Sequence, residues 1–308
     1  MVALGFDSQG PFQSSFYSLS KETIMGIADS HEIIRQRIVA ALERGTVPWR
    51  KPWNANGIGG LPMNFATKKA YRGVNILLLL AEGYASDAWL TYKQAQSIGA
   101  QVRKGEKSTP IFFWSIVDEK KSKDGKKHFF LKQHAVFNIA QCDGIEIPAA
   151  KPVPEFSAIE SCEHIVAGYD GPPIVHGGNR AAYSPTLDRI MMPEKASFHS
   201  TAEYYSTLFH ELAHSTGHSS RLNRKGIVDA ISFGSHNYSE EELVAEFACA
   251  FLCGQAGIED KTIDNSASYI KSWVKKFNDD PQVLMRAASA ASKAADRILG
   301  VKRNDEGE

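Results

Sequence analysis

Cysteine is scarce in this chain, and long apolar runs are missing. The 308 residues include only Cys142, Cys162, Cys249 and Cys253, whose spacing indicates buried free thiols rather than a disulfide framework. The apolar stretch at residues 76–81 is far shorter than the roughly 18 residues needed to span a bilayer. The N-terminus also lacks the pattern of a secretory signal. We therefore expect a cytoplasmic protein with no membrane partner.

A net charge is absent as well, because 35 Lys and Arg balance 35 Asp and Glu. This neutrality hides two opposite halves. Residues 31–150 contain 18 Lys and Arg against 10 Asp and Glu, whereas residues 151–308 contain 16 against 22. Such asymmetry indicates a module that binds a polyanion, joined to a part with another task.

The pattern of apolar residues, turn residues and composition predicts an α+β protein with two domains. Residues 1–28 are rich in Ser, Gly and Gln and are predicted to be a disordered tail. Residues 29–146 have mixed helix and hairpin signals, residues 147–156 form a Pro-rich linker, and residues 157–308 are mainly helical with a small sheet. A capping box at Thr91 and Gln94 and a hairpin around Asp124 and Gly125 are the clearest local signals.

A metal site is predicted where the sequence reads His210-Glu211-Leu212-Ala213-His214. In a helix, side chains four residues apart lie on one face, so His210 and His214 can bind one ion together. Zn²⁺ accepts two imidazoles and a carboxylate and leaves a position for water, whose proton Glu211 can accept. The pattern therefore predicts hydrolysis by a metal-activated water, although Mn²⁺ or another divalent ion is also compatible with it.

The third ligand is expected from the next helical segment, residues 239–248, which is rich in carboxylates. Glu242 and Glu246 share a face of that helix. Glu242 could bind the metal while Glu246 accepts a ring N–H from a ligating histidine, or the two roles could be exchanged. Glu240 and Glu241 are explained by the preference for acids in the first turn of a helix, after Ser239.

Four further residues near this motif have less defined roles. His218 follows the second histidine by four residues, whereas HExxHxxGxxH proteases place a third ligand six residues after it. We therefore assign His218 to a cap or a contact beside the metal ligands, with a direct metal role as the alternative. Arg221, His236 and Tyr238 are candidate stabilisers of an oxyanion.

Aromatic and cationic side chains alternate in the basic half, as expected of a protein that binds single-stranded nucleic acid. Bases can stack on the rings while phosphates contact the cations, at about 1 to 3 kcal/mol for each stacked base. The alternative is that individual rings are core anchors. The candidate residues are Trp49, Arg50, Lys51, Trp53, Tyr71, Arg72, Arg103, Lys104, Lys107 and Trp114.

Several motifs, in the same order, resemble a known family. The segments at residues 49–53, 71–75, 89–95, 102–106 and 136–142 look like the N-terminal single-stranded-DNA-binding domain of ArdC-type antirestriction proteins, which is related to the N-terminal region of TraC plasmid primases. The segments at residues 210–222 and 241–246 look like the zincin-like metallopeptidase domain of that family. The resemblance implies metal ligands at His210, His214 and Glu242, catalysis by Glu211, and DNA contacts from residues 49–53 and from Tyr71 to Asn75.

The function implied by the resemblance is that of a mobile-element protein that binds incoming single-stranded DNA and helps it survive host restriction. The resemblance does not identify the protein target, for which a component of a restriction system is the candidate. Two alternatives remain open. The protein could only shield single strands, with a structural or inactive metal site, or it could be a protease acting on protein crosslinked to DNA.

Overall fold

The structure is a computed structural model that describes residues 23–25, 27–50, 60–117, 128–146, 155–229, 236–258 and 267–302. Residues 147–154 of the predicted linker, the turn at 124–125 and most of the predicted N-terminal tail lie outside these ranges, whereas residues 155 and 156 already belong to a helix. Residues Thr23–Met25 are an exception, because they form a strand rather than part of a disordered tail. The backbone of this strand pairs with a long strand of the basic half, which the composition of the tail does not reveal.

The N-terminal half combines short helices with a sheet built around one long hairpin. Strand β6 is paired with β5 along its length and also with β1 and β3, and β2 extends the sheet beyond β3. The hairpin matches the two strands predicted from the sequence. The elements in chain order are β1 Thr23–Met25, α1 Ile27–Glu43, a 3₁₀ turn Pro48–Arg50, β2 Met63–Asn64, α2 Val74–Ala81, β3 Ala88–Leu90, α3 Tyr92–Ser97, β4 Gln101–Val102, β5 Thr109–Val117, β6 His128–Asn138, a 3₁₀ turn Ile139–Gln141 and β7 Cys142–Asp143.

The C-terminal half is mainly helical, with a three-stranded sheet in the order β8, β10, β9. Strand β9 is antiparallel to β10 and lies beside α5, the helix with the two histidines. The elements are α4 Glu155–Gly168, β8 Ile174–His176, β9 Ala182–Ser184, β10 Arg189–Met192, a 3₁₀ turn Lys195–Ser197, α5 Thr201–Ser215, α6 Lys225–Val228, α7 His236–Ala256, α8 Ala267–Asp279 and α9 Val283–Ile298.

One apolar core extends through both halves. Helix α7 is its centre: residues Leu243 to Cys253 of this helix are buried, apart from the partly exposed Glu246. The largely apolar helix α2 and Trp49 from the N-terminal half belong to the same cluster as α7 and α9. A second, smaller cluster lies under α3 and includes Leu90, Val102 and Ile139. The two halves therefore share one core.

Candidate metal centre

Helix α5 places the two histidines side by side. The helix begins after Ser200, whose hydroxyl accepts the N–H of Glu203 at 3.1 Å. Its buried face includes Leu208, Phe209, Leu212 and Ala213, and this face fixes the rotation of the helix against the core. As the i, i+4 spacing requires, the Nε2 atoms of His210 and His214 lie 3.1 Å apart.

Glu242 on α7 supplies a third donor to the same point. Its Oε2 lies 3.6 Å from Nε2 of His210, and its Oε1 lies 3.7 Å from Nε2 of His214. Two donors at about 2.0 to 2.1 Å from a tetrahedral ion are separated by about 3.3 to 3.4 Å. The separations in the structure are close to this value, so the three residues fit one divalent ion and leave a fourth position free.

Glu241, the neighbour of Glu242, contacts the other nitrogen of His214. Its Oε1 lies 3.3 Å from Nδ1 of His214, and its carboxylate also accepts a 2.9 Å hydrogen bond from Nε of Arg224. Arg224 is anchored in turn, because it donates to the carbonyl oxygen of Ala213 and to the hydroxyl of Thr216. A carboxylate in this position fixes the orientation and tautomer of a ligating imidazole.

Sequence reasoning missed Glu241, which it assigned to the ordinary acids of a first helical turn. The side chain is only 5% exposed, since α6 packs directly over it. At Gly226 of α6, an added Cβ would lie 2.7 Å from Cβ of Glu241, so any larger residue requires a shift. The pattern of three consecutive glutamates contains no signal for this packing, because Arg224 and Gly226 belong to another segment.

The charges of the cluster shift the pKa values of its members in the metal-free protein. Burial lowers the pKa of His214, but the hydrogen bonds and charges of Glu241 and Glu242 outweigh it and raise this pKa to about 10. Burial raises the pKa of Glu242, but the two histidines outweigh it and bring this pKa well below the ordinary value. Because a metal ion binds only the neutral imidazole, an ion at this site must displace the proton that Glu241 and Glu242 favour on His214.

Glu211 is turned toward the small sheet. Its Oε2 accepts the backbone N–H of Tyr183 at 2.7 Å, which connects α5 to strand β9. Glu211 follows His210 on α5, and its hydrogen bond to Tyr183 holds the carboxylate against strand β9. This position is compatible with a base that faces a substrate beside β9.

The guanidinium of Arg221 is held in an internal network. It donates to both carboxylate oxygens of Asp188, and its Nε donates to the carbonyl oxygen of Ser215 at 2.7 Å. The hydroxyl of Tyr183 donates to Asp188 at 2.8 Å. Because Arg221 is only 7% exposed, it supports the turn after α5 and does not point toward a substrate. The side chains of His236 and Tyr238 lie outside the described residues.

His218 and Glu246 are both placed away from the metal ligands. Nδ1 of His218 contacts the hydroxyl of Ser220 at 2.8 Å, within the turn that follows α5. Glu246 instead accepts the indole N–H of Trp49 at 3.1 Å and the hydroxyl of Tyr269. The expectation that Glu246 supports or replaces Glu242 is therefore corrected. Glu246 is one helical turn from Glu242, but its side chain lies at the interface with the N-terminal half.

Three predicted DNA contacts prove to be core residues. Trp49 is fully buried and packs edge-on against Phe247, with ring centroids 4.9 Å apart. The hydroxyl of Tyr71 is within 3.4 Å of Asn64, and the ring is 6% exposed. Asn75 exchanges two 2.8 Å hydrogen bonds with the backbone of Phe112. These side chains hold the fold together, so they are not available as a stacking platform.

The predicted cations differ in their availability. Arg72 pairs with Asp296 of α9, and Arg103 donates to Glu106 and to the carbonyl oxygen of Ala140. Lys104 and Lys107 are exposed. Arg50 is partly buried, and its Nη1 has no hydrogen-bond partner among the described residues. Lys51, Trp53 and the side chain of Trp114 lie outside the described residues.

Within the described ranges, no helix combines the length and the apolar character needed to cross a bilayer. The sequence led to the expectation of no membrane partner for the same reason, because its apolar stretch at residues 76–81 is too short to span a bilayer. The structure adds that the most apolar helix, α2, is buried along its whole length.

Comparison with known proteins relates the two halves to two different families. Residues 28–137 match the N-terminal domain of the anti-restriction factor ArdC, and residues 160–290 match a zincin-like metallopeptidase. The chain is also 36% and 39% identical to two DNA primases TraC of Escherichia coli, over 98% and 89% of its length. It spans only 22% and 27% of those relatives.

Relatives of similar length to this chain are found as well. An uncharacterised protein of Sinorhizobium fredii, y4eC, is 38% identical, and the match covers 87% of this chain and 91% of that protein. The metal-free crystal structure of the antirestriction protein ArdC from plasmid R388 is similar, with a TM-score of 0.71 and 35% sequence identity to this chain. The match covers 89% of this chain and 100% of that one. Its Mn(II)-bound structure has a TM-score of 0.70 and 36% identity, with 88% and 97% covered. The chain therefore belongs to the ArdC family of antirestriction proteins.

Proposed function

We propose that this protein binds single-stranded DNA of a mobile element and carries a metal-dependent peptidase-type site. The observation that supports the second activity is the convergence of His210, His214 and Glu242 on one point. Glu211 follows His210 on the same helix and accepts a hydrogen bond from strand β9. We assign strand binding mainly to residues 29–146 and the metal site to residues 157–308. We place its action in the cytoplasm, because the four cysteines are all free and buried.

The ion is proposed to be Zn²⁺, with Mn²⁺ as the alternative. Two imidazoles and one carboxylate suit Zn²⁺, whereas the related ArdC from plasmid R388 has been crystallised with Mn(II). A divalent ion at this position supplies a water of lowered pKa and an electrophilic contact for a peptide carbonyl oxygen.

The residues of the chain have three tasks in this proposal. His210, His214 and Glu242 hold the ion, and Glu241 fixes the ring of His214 through Nδ1. Glu211 accepts a proton from the attacking water and returns it to the leaving amine. Strand β9, whose N–H at Tyr183 touches Glu211, borders the position at which a substrate chain would lie.

The test is to compare the wild type with Glu211→Gln and His210→Ala in metal content, peptide cleavage and binding of an oligonucleotide. Glu211→Gln keeps an oxygen that can accept the N–H of Tyr183, so it removes the base while it preserves the fold. We expect this variant to retain one metal ion per chain and to lose cleavage by about 100-fold or more. His210→Ala should lose both metal and cleavage, and both variants should bind DNA normally.

Two results would contradict the proposal. If Glu211→Gln cleaves as fast as the wild type, Glu211 is not the base. If the wild type binds metal but cleaves neither free protein nor protein crosslinked to DNA, the metal site is structural and only the strand-binding activity remains. If cleavage of the crosslinked substrate requires single-stranded DNA, the protein is a protease that acts on protein crosslinked to DNA.

A further inference from the structure

A groove of 870 Å³ lies between the two halves of the molecule. Its floor is formed by β5 and β6 and is apolar. One wall comes from residues 64–75, which precede and begin α2, and the opposite wall comes from α9 of the C-terminal half. The two walls are tied together, since the backbone N–H of Gly73 donates to the hydroxyl of Ser292 at 2.9 Å. The groove thus lies where the two halves are in direct contact.

The charged side chains that line this groove are all cationic. They are Lys69 and Arg72 on one wall and Arg286 and Lys293 on the other, and among the described residues no carboxylate contributes to the lining. Arg72 and Arg286 are partly neutralised from behind, by Asp296 and by Glu240 and Asp280. Lys69 and Lys293 both line the groove and are exposed to solvent, so an anion in the groove can reach them.

An exposed aromatic ring accompanies these cations. Phe113 on β5 is 38% exposed, which is unusual for a large apolar residue in this protein. One edge of its ring is supported by His134 on β6, with ring centroids 5.5 Å apart and an interplanar angle of 71°. The ring is therefore fixed in position while part of its surface remains open to a ligand.

We infer that a single strand of DNA lies in this groove, with a base on Phe113 and phosphates beside Lys69 and Lys293. Apolar floor, open ring and cationic walls are the features with which proteins bind unpaired strands. Duplex DNA is disfavoured because its base faces are covered by stacking. The inference rests on the proposed strand-binding function and adds that helix α9, from the metallopeptidase half, forms one wall of the binding site.

The experiment measures the affinity of the full-length protein for a fluorescent oligothymidylate at several salt concentrations. The test variants are Lys293→Glu on α9, Lys69→Glu on the opposite wall, and Phe113→Ala on the floor. The matched control is Lys275→Glu, an identical charge reversal on the exposed face of α8, outside the groove. Thermal unfolding of every variant verifies that the fold is intact.

Lys293→Glu should weaken binding by about tenfold and reduce the slope of log K against log salt by roughly 0.7 to 1. Phe113→Ala should weaken binding by about fivefold or more, with little change in that slope. Lys275→Glu should bind like the wild type. If the wild type binds the strand and both Lys293→Glu and Lys275→Glu bind it with the affinity of the wild type, the groove is not the binding site. The strand-binding function would still hold in that case. If the wild type does not bind the strand, the strand-binding function itself is refuted.

Discussion

At the scale of single residues, the orientation of His214 depends on Glu241. This buried carboxylate lies between the ring of His214 and the guanidinium of Arg224, so removal of its charge affects both. A ligand whose ring is not held must be ordered at the moment of metal binding, which reduces affinity.

Glu241→Gln should therefore weaken metal binding by about 10- to 100-fold, although the glutamine does not touch the ion. Metal affinity measured by competition with a chelator checks this expectation. The matched control is Glu240→Gln, because Glu240 is adjacent in sequence but pairs with Arg286 on the surface. Equal metal affinity of the two variants would show that Glu241 has only a structural role.

The sequence predicted that His210 and His214 lie together, because helical spacing fixes which side chains share a face. The residues alone left Glu242 and Glu246 exchangeable as the third ligand, and the family resemblance favoured Glu242. The sequence did not predict which neighbour of Glu242 would contact the ligating histidine. That choice depends on the rotation of α7 against α5, which is decided by packing across the core. The burial of Trp49 could not be predicted either, because a tryptophan side chain is suited both to a core and to a binding groove.

At the scale of elements, helix α7 connects the metal site with the N-terminal half. Glu242 points toward α5, whereas Glu246, one turn further, accepts a hydrogen bond from Trp49. Trp49 in turn lies against Phe247 of α7 and Phe277 of α8. A single indole ring thus fills the junction between the 3₁₀ turn and two helices.

Trp49→Ala should reduce the free energy of unfolding by about 3 to 5 kcal/mol, because it leaves a large cavity and removes one hydrogen bond to the carboxylate of Glu246. Urea denaturation of the purified protein measures this loss. Phe113→Ala is the control, since this exposed ring should change stability by less than about 0.5 kcal/mol. A weakly destabilised Trp49→Ala protein with impaired DNA binding would favour the original interpretation of Trp49 as a stacking residue.

The elements themselves were largely predictable where local chemistry determines them. Thr91 and Gln94 form the predicted capping box, and β5 pairs with β6 in the antiparallel hairpin that the turn residues Asp124 and Gly125 indicated. The two-residue strands β2, β4 and β7 were not predicted, because a pair of residues has no detectable period.

At the scale of the whole molecule, metal binding and strand binding use different surfaces. The metal donors lie between α5 and α7, whereas the groove lies between β5, β6 and α9, and no residue belongs to both. The two sites are nevertheless attached to one core.

Removal of metal with a chelator should therefore leave the affinity for an oligonucleotide unchanged while it lowers thermal stability. At a free metal concentration of 100 times Kd, binding stabilises the folded protein by about 2.7 kcal/mol. Differential scanning fluorimetry with and without metal measures the difference, and His210→Ala, which lacks a ligand, should show none. A large loss of strand affinity in the chelated protein would mean that the two sites are coupled.

The division into two halves followed from charge and composition, and so did the α+β class. Their common core did not, because it depends on contacts between residues about 200 positions apart, such as Trp49 and Glu246. No periodicity within one segment reports a contact of that kind.

The common core also has a consequence for how such proteins can evolve. A recombination event that kept only one half would leave Trp49 or the flank of α7 facing water, and the product would tend to aggregate. Both halves must then be inherited as a single block. Both halves do occur together in a DNA primase TraC of Escherichia coli, where the match covers 98% of this chain and 22% of that protein.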